Sequence, residues 1–252
     1  VPTEADVARR EGRDYETGEQ LLQCILETRR RQRKGKGKEP ATPETTRKPE
    51  LPEGWVWATV EQVALMVEYG TSAKTNDNSS GIPVLRMGNI VEGELKFDDL
   101  KYLPTQHEEF PKLLLEPGDI LFNRTNSPEL VGKAAVFLGS SRPHSFASYL
   151  IRVRLIEGCL PTYLNAYINS VHGRAWIKTV VTQQVGQANV NGTKLQALPI
   201  PLPPLSEQQR IAAEVERHLS VLADTERQVE RNLYQTHVTR ASLLSKVFGS
   251  AR

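Results

Sequence analysis

The order of local patterns along this chain predicts an α+β fold: one mixed α/β domain followed by a long coiled-coil-forming helix, with a short helix preceding it. Two observations carry the expectation. Strand-like runs alternate irregularly with helical segments and no βαβ unit repeats, which argues against a doubly wound parallel sheet. The run Leu198-Pro199-Ile200-Pro201-Leu202-Pro203-Pro204 excludes helix, since proline lacks a backbone N–H and fixes φ, yet a continuous helical pattern follows at once. With 252 residues the chain can form one sizeable domain plus extensions, or two small domains.

Residues 1–34 are polar around a helical core. Leu21, Leu22, Ile25 and Leu26 share one face, and Thr17 with Gln20 makes a capping box. Residues 35–54 are Lys/Gly/Pro/Thr-rich and read as a flexible basic linker. Arg29, Arg30, Arg31, Arg33, Lys34, Lys36 and Lys38 crowd the junction; such a run can touch nucleic acid, but a solvated segment is the commoner meaning.

The globular module spans residues 55–204. Thr59 and Gln62 form a second capping box for a short helix through Val63, Ala64 and Leu65. A polar loop, Gly70 to Gly81, follows. Strands are expected at Ile82–Met87, Leu113–Leu115, Asp119–Asn123, Ala134–Leu138 and Tyr149–Ile156, with Glu116-Pro117-Gly118-Asp119 as a turn. Leu160–Asn169 and Gly173–Val181 read as helices.

Residues 205–252 hold the long helix, with Ser206 and Gln209 as its expected capping box. Ala212, Leu219, Glu226, Leu233, Arg240 and Val247 take position a of a heptad, and Val215, Leu222, Val229, Thr236 and Leu243 take position d. Eight of these eleven are apolar, which makes a seam in need of a partner helix. The segment Leu21–Leu26 is one candidate partner.

Net charge is +2, and hydrophobic content is 38% with 6% aromatic. Cys24 and Cys159 lack metal spacing and read as free thiols of a reducing compartment. Neither a signal peptide nor a long apolar run is seen, so a soluble cytoplasmic protein without a membrane partner is expected. The first residue is valine, which points to part of a longer chain.

Catalytic patterns are scarce. Gly35-Lys36-Gly37-Lys38 lacks the spacing and strand of a phosphate-binding loop, and no Gly-x-Ser-x-Gly elbow occurs. The histidines at 107, 144, 172, 218 and 237 form no metal pattern. Pro203-Pro204 lacks the Asn or Asp and the aromatic residue that a base-methylating loop places around its prolines. Glu94-Leu95-Lys96 with Asp77 is a nuclease-like set able to hold Mg²⁺, although Gly93-Glu94 reads better as a turn. No catalytic residue, metal site or cofactor is therefore assigned.

What remains suits recognition. Arg and Lys match guanine edges and phosphates, while Asn and Gln match adenine. Lys74, Arg86, Arg124, Lys133 and Lys194 are the cationic candidates for DNA contact. Asn89, Asn126, Gln187, Asn189 and Asn191 are the amide candidates. Asn123, Arg152, Gln183 and Gln184 belong to the same polar set.

From Leu51-Pro52-Glu53-Gly54-Trp55 onward the chain resembles the specificity subunit (HsdS) of type I restriction–modification systems. The markers are Pro83-Val84-Leu85-Arg86-Met87-Gly88-Asn89-Ile90, Gly118-Asp119-Ile120-Leu121-Phe122-Asn123-Arg124-Thr125-Asn126-Ser127, Val131-Gly132-Lys133-Ala134, Ser148-Tyr149-Leu150-Ile151-Arg152 and Glu207-Gln208-Gln209-Arg210-Ile211. The resemblance implies that residues 55–204 are a target recognition domain for double-stranded DNA. It implies that the helix from Ser206 is a spacer that sets half-site distance and docks methyltransferase (modification) subunits, with the restriction subunit joined through the complex. It also implies a subunit that is itself non-catalytic. Members usually carry two such domains and this chain has one, so it is either the C-terminal half of a longer chain or a half-subunit that dimerises. Residues 1–34 would then end a preceding spacer helix. The partner-facing candidates are Val215, Leu219, Leu222, Val229, Leu233, Leu243 and Val247. Two other readings stand beside this one: a coiled-coil scaffold without sequence readout, and the metal-dependent nuclease.

Overall fold

In the computed structural model, which describes residues 1–32, 39–44, 49–127, 130–184 and 187–249, the chain opens with two helices. Helix α1, Glu4–Glu11, is capped by Thr3 and stopped by Gly12 in the left-handed region at φ 64°. Helix α2, Gly18–Gln32, starts from the expected capping box: Gln20 N–H donates to Thr17 Oγ1 at 3.2 Å and Thr17 N–H to Gln20 Oε1 at 2.8 Å.

The first strand, β1 (Val56–Thr59), runs into helix α3 (Val60–Val63) and strand β2 (Ala64–Tyr69). Strands β3 (Ile82–Leu85), β4 (Ile90–Val91), β5 (Glu94–Leu95) and β6 (Lys101–Leu103) follow. Next come β7 (Ile120–Asn123), β8 (Thr125–Asn126), β9 (Ala134–Val136), β10 (Ser145–Phe146) and β11 (Leu150–Leu155). Helices α4 (Pro161–Asn169) and α5 (Val171–Val180) precede the hairpin β12 (Thr182–Gln184) and β13 (Gln187–Asn189). Helix α6 (Gly192–Gln196), strand β14 (Pro199–Leu202) and helix α7 (Leu205–Phe248) complete the chain.

The centre is an antiparallel sheet in the order β2-β11-β7-β9. Its strands alternate between two cores, because successive side chains leave opposite faces of a strand. Ile120, Phe122, Ile151 and Val153 face one core with α2, α4, α5 and β14 residues; Leu121 and Leu150 face the other with Leu85, Phe137 and Phe146. This two-sided burial explains why the middle of the expected strand Asp119–Asn123, Ile120-Leu121-Phe122, is continuously apolar rather than alternating. Around the sheet lie β10-β3-β6, with β10 parallel to β3, and the ribbons β1-β14, β12-β13-β8 and β4-β5. Pro199 and Pro201 are accommodated because, among the described residues, β14 pairs only with β1, leaving an edge that needs no proline N–H.

The structure revises several local expectations. The helix after Thr59 keeps its capping box but stops at Val63, because Ala64 turns extended and β2 pairs with β11. Leu113–Leu115 is not a strand: Leu113 N–H bonds Glu109 O in a turn, and Leu115 N–H bonds His144 O at 2.9 Å. Leu21, Leu22 and Ile25 do not offer a face to α7, since they are buried in the first core. A Cβ on Gly18 would stand 2.2 Å from Leu202 O, so glycine alone permits α2 to start this close to β14.

Arg29 leaves the basic run as well. It is 4% exposed and its Nη1 donates to the carbonyls of Glu61 and Ala64 at the end of α3. Arg33, Lys34, Lys36 and Lys38 lie outside the described residues. Of the stretch read as a flexible linker, Glu39 pairs with Arg30 at 2.9 Å and Ala41 O accepts from Thr59 Oγ1 at 3.2 Å.

Helix α7 has 44 residues and contains neither Gly nor Pro, giving about 65 Å of helix at 1.5 Å per residue. Two compact units divide within it, Val1–Arg210 and Ile211–Arg252. Its start is anchored otherwise than expected. In place of a box from Ser206 and Gln209, Pro204 O accepts the N–H groups of Glu207 and Gln208, each at 3.0 Å. Ser206 instead hydrogen-bonds Glu4. The fully buried Gln208 accepts from Leu160 N–H at 2.8 Å and donates to Gly158 O and Pro203 O, each at 3.1 Å. Glu207 Oε2 accepts Glu4 N–H at 2.9 Å, and Glu4 Oε2 accepts from Arg210 at 2.6 Å.

Candidate nucleic-acid interface

Antiparallel pairing brings three strand ends to one edge of the central sheet: Tyr69 ends β2, Asn123 ends β7, and Leu150 begins β11. The segments leaving these ends are the polar ones. Loop 70–81 crosses residues 146–147 so closely that a Cβ on Gly70 would lie 2.2 Å from Phe146 O, which only glycine avoids. Thr71 N–H then bonds Phe146 O at 2.9 Å, and Ser148 N–H bonds Thr71 O at 2.8 Å. The loop after β7 is closed by Asn123, whose N–H donates to Lys133 O at 2.8 Å and whose Nδ2 donates to Leu130 O at 3.2 Å. Strand β8 carries the β12–β13 hairpin to the same edge.

Arg124 stands at the centre of this group. Its N–H bonds Tyr149 O at 3.1 Å, and its carbonyl accepts Val190 N–H at 2.9 Å. Its guanidinium lies over the Tyr69 ring, 4.9 Å from the centroid, and Nη1 donates to Ser148 O at 3.3 Å. Tyr69 Oη in turn accepts Gly192 N–H at 2.7 Å. Tyr69 and Tyr149 are both exposed.

The other candidates separate by environment. Asn189 joins the group, donating to Thr125 Oγ1 at 3.2 Å. Asn191 is exposed but caps α6, accepting Lys194 N–H at 2.9 Å. Lys194 reaches back to Val180 O at the end of α5. Lys74 is exposed in loop 70–81, and Lys133 is partly exposed on the loop after β7. Arg86 follows β3 and pairs with Asp99 at 2.9 Å. Asn126 and Gln187 are described by backbone only, paired within β8 and β13.

Three members of the polar set have internal duties instead. Asn89 is 5% exposed: its Oδ1 accepts Arg86 N–H, and its Nδ2 donates to Lys96 O and Asp98 O, each bond 2.8–2.9 Å. Its amide is spent on shaping the loop around β4 and β5, so it is removed from the contact candidates. Asn123 is 1% exposed and closes the loop described above. Arg152, also 1% exposed, is held by Glu68, by Leu114 O at 2.7 Å and by Lys112 O at 3.1 Å. Next to it Arg154 grips Asp119 through two bonds of 2.7 and 2.8 Å. Burial would raise the Glu68 carboxyl, but Lys112 and Arg152 hold it below the usual range. Asp119 of the Gly-Asp marker and Arg152 of the Leu-Ile-Arg marker are thus parts of one buried ion network.

The nuclease-like set is dispersed. Glu94 pairs with Lys96 at 2.7 Å across one strand, whereas Asp77 pairs with Lys101. Among the described residues no three His, Cys, Asp or Glu side chains gather as a metal site.

Sequence reading assigned no role to Tyr69, and none to Tyr149, Glu207 and Gln208 beyond their place in the family markers. The tyrosines carried one usable signal, an aromatic residue beside a Gly-Thr or Ser turn at a strand end. Nothing local distinguishes Glu207 and Gln208 from exposed first-turn residues.

With this geometry in hand, comparison with known proteins is decisive for ancestry. The profile of the type I restriction modification DNA specificity domain matches residues 52–233. The chain belongs to that specificity family. It is 30% identical over 191 residues to the type I restriction enzyme EcoKI specificity subunit of Escherichia coli (strain K12), covering 75% of this chain and 41% of that one. It is 29% identical over 183 residues to a putative type I restriction enzyme MjaX specificity subunit of Methanocaldococcus jannaschii, covering 72% and 43%. The chain therefore spans less than half the length of these relatives of the specificity family.

The α+β fold with a long C-terminal helix also recurs in solved structures. A chain from a study of complex assembly and conformational transition of the type I R-M system aligns with TM-score 0.61 at 19% identity, covering 89% of this chain and 50% of that one. The HsdS subunit from Thermoanaerobacter tengcongensis aligns with TM-score 0.52 at 19% identity, covering 88% and 48%.

Proposed function

We propose that this chain is the DNA sequence-recognition part of a type I restriction–modification complex, reading one half of a bipartite site. The observation that carries this reading is the specificity-domain match over residues 52–233, joined to a sheet edge where polar loops gather around Arg124. Its partners are double-stranded DNA, the modification subunits that methylate it, and the restriction subunit through the complex. The chain contributes no catalytic residue and takes no cofactor. Arg86, Arg124, Lys133, Lys74 and Lys194 supply positive charge; Asn126, Gln187, Asn189 and Asn191 supply amide donors and acceptors.

The seam of α7 supports a second role in assembly. Leu219, Leu222, Val229, Leu233, Leu243 and Val247 are exposed, and Val215 is partly exposed, so a partner helix is called for. That partner is the spacer helix of a second recognition half, in the same polypeptide or in a second copy, with modification subunits docked alongside. A two-fold pair would read an inverted repeat. The site of action is the cytoplasm, and no described helix is long and apolar enough to cross a membrane.

The test is duplex binding by the full chain, alone and with its modification subunits, using selection from a random pool. Enrichment of one sequence, with affinity falling steeply as salt rises, is expected. Enrichment of none, with the modification subunits still bound, would support the scaffold reading. Metal-dependent cleavage lost in Glu94→Ala would support the nuclease reading.

A further inference from the structure

We infer that Arg124 reads a guanine in the DNA site and that Tyr69 is its positioning residue, the ring that holds the guanidinium plane. This deepens the proposed function and rests on it.

The first support is rigidity. Arg124 is tied through both backbone groups, to Tyr149 O and from Val190 N–H, and its head is fixed by the ring beneath and by Ser148 O. Tyr69 is fixed as well, by its register opposite Ile151 and by the bond from Gly192 N–H. A Cβ at Gly192 would come within 3.2 Å of Tyr69 Oη, so the two residues are fitted to each other.

Charge is the second support. Arg86, Arg152 and Arg154 each face a carboxylate. Among the described residues no carboxylate pairs with Arg124; its buried Nε has no acceptor either, a feature it shares with Arg86, Arg152 and Arg210, so the missing carboxylate is what sets it apart. A guanidinium with no carboxylate beside it keeps an unmatched positive charge and free donors, which an acceptor on a ligand completes. Nη1 gives one of its two N–H groups to Ser148 O and Nε is buried, so the edge left for a ligand is the end of the fork, Nη1 with Nη2. That edge presents two parallel donors, the arrangement that matches O6 and N7 of guanine in the major groove. A phosphate could accept the same two bonds, but it needs no fixed plane, and exposed lysines such as Lys74 serve it without one.

The experiment uses the full chain with its modification subunits and a duplex selected from a random-sequence pool. Each guanine of the selected site is replaced in turn by 7-deazaguanine, which lacks the N7 acceptor. At one guanine the replacement should weaken wild-type binding about tenfold or more, and should change Arg124→Ala binding by less than about twofold. Arg124→Lys, which keeps charge but not the fork, should lose the same discrimination. Tyr69→Phe keeps the ring and should stay within about threefold of wild type, whereas Tyr69→Leu should lose discrimination at that guanine while binding at other positions is still read. If wild type and Arg124→Ala suffer equally at every guanine, Arg124 is a phosphate contact, and if Arg124→Lys keeps full discrimination, the fork held by the Tyr69 ring is not what reads the guanine; in either case the inference falls while DNA reading stands. If the wild-type chain selects no sequence, both fall together.

Discussion

The residues up to Arg210 and the helix beyond them treat the same side-chain types in opposite ways. In the first unit, charged groups are buried and matched: Asp119 and Arg152 are each 1% exposed within one ion network. In the second, Leu219, Leu222, Val229, Leu233, Leu243 and Val247 remain exposed, and ion pairs such as Glu214–Arg217 and Asp224–Arg227 lie at the surface. Such pairs contribute only a few tenths of a kcal/mol each, and most helix stability in proteins comes from packing. The difference teaches that the first unit buries its own core and its charges, while the helix leaves an apolar seam uncovered among the described residues.

Breaking the buried network should have the largest effect on the first unit. Arg152→Ala leaves Glu68 and Asp119 short of a buried partner and should cost about 3–5 kcal/mol. Urea unfolding followed by the fluorescence of Trp55, Trp57 and Trp176, all in this unit, measures it; a loss under about 1 kcal/mol would show that the network contributes little. Gln208→Ala removes three hydrogen bonds at the start of α7 and should cost about 2 kcal/mol by leaving Leu160 N–H and two carbonyls unpaired. An unchanged urea midpoint would refute that anchor.

Acid sensitivity sharpens the comparison further. Burial alone would raise the Glu4 carboxyl, but hydrogen bonds from Arg13, Arg210 and Ser206 hold it down at about 2. A carboxyl depressed in the folded state stabilises fully above its unfolded value of 4.5, and that contribution is lost as pH falls towards about 2. Allowing for the partial exposure of both arginines, it is of order 1–2 kcal/mol. Glu4→Gln should lower stability by that amount at neutral pH and flatten the fall between these pH values; parallel pH profiles would contradict it. At the small end, Leu233→Glu with Leu243→Glu should change unfolding of the first unit by less than about 0.5 kcal/mol. The same change should weaken self-association or modification-subunit docking at least about tenfold, measured by sedimentation.

What was legible in the sequence follows the same division. The capping boxes at Thr17 and Thr59, the apolar runs of β7 and β11, and the uninterrupted α7 depend on neighbours in sequence, and they were readable. The strand β2 was not, because its state is set by pairing with β11 far along the chain. The grouping at the candidate interface was half legible for the same reason. Arg124 and Asn189 could be chosen by type, but Asn89 and Arg152 have the same chemistry and are turned inward by contacts that no spacing encodes. Tyr69 becomes informative only once it lies beneath Arg124.

On the proposed function, the unit ending at Arg210 determines which bases are read, while the helix beyond it determines assembly. Mapping methylated bases in DNA treated with the full chain and its modification subunits tests this most directly. One defined methylated motif is predicted, altered in its bases by Arg124→Ala and retained, at lower yield, by Leu233→Glu with Leu243→Glu. A motif whose bases change with the helix substitutions and not with Arg124→Ala would contradict it.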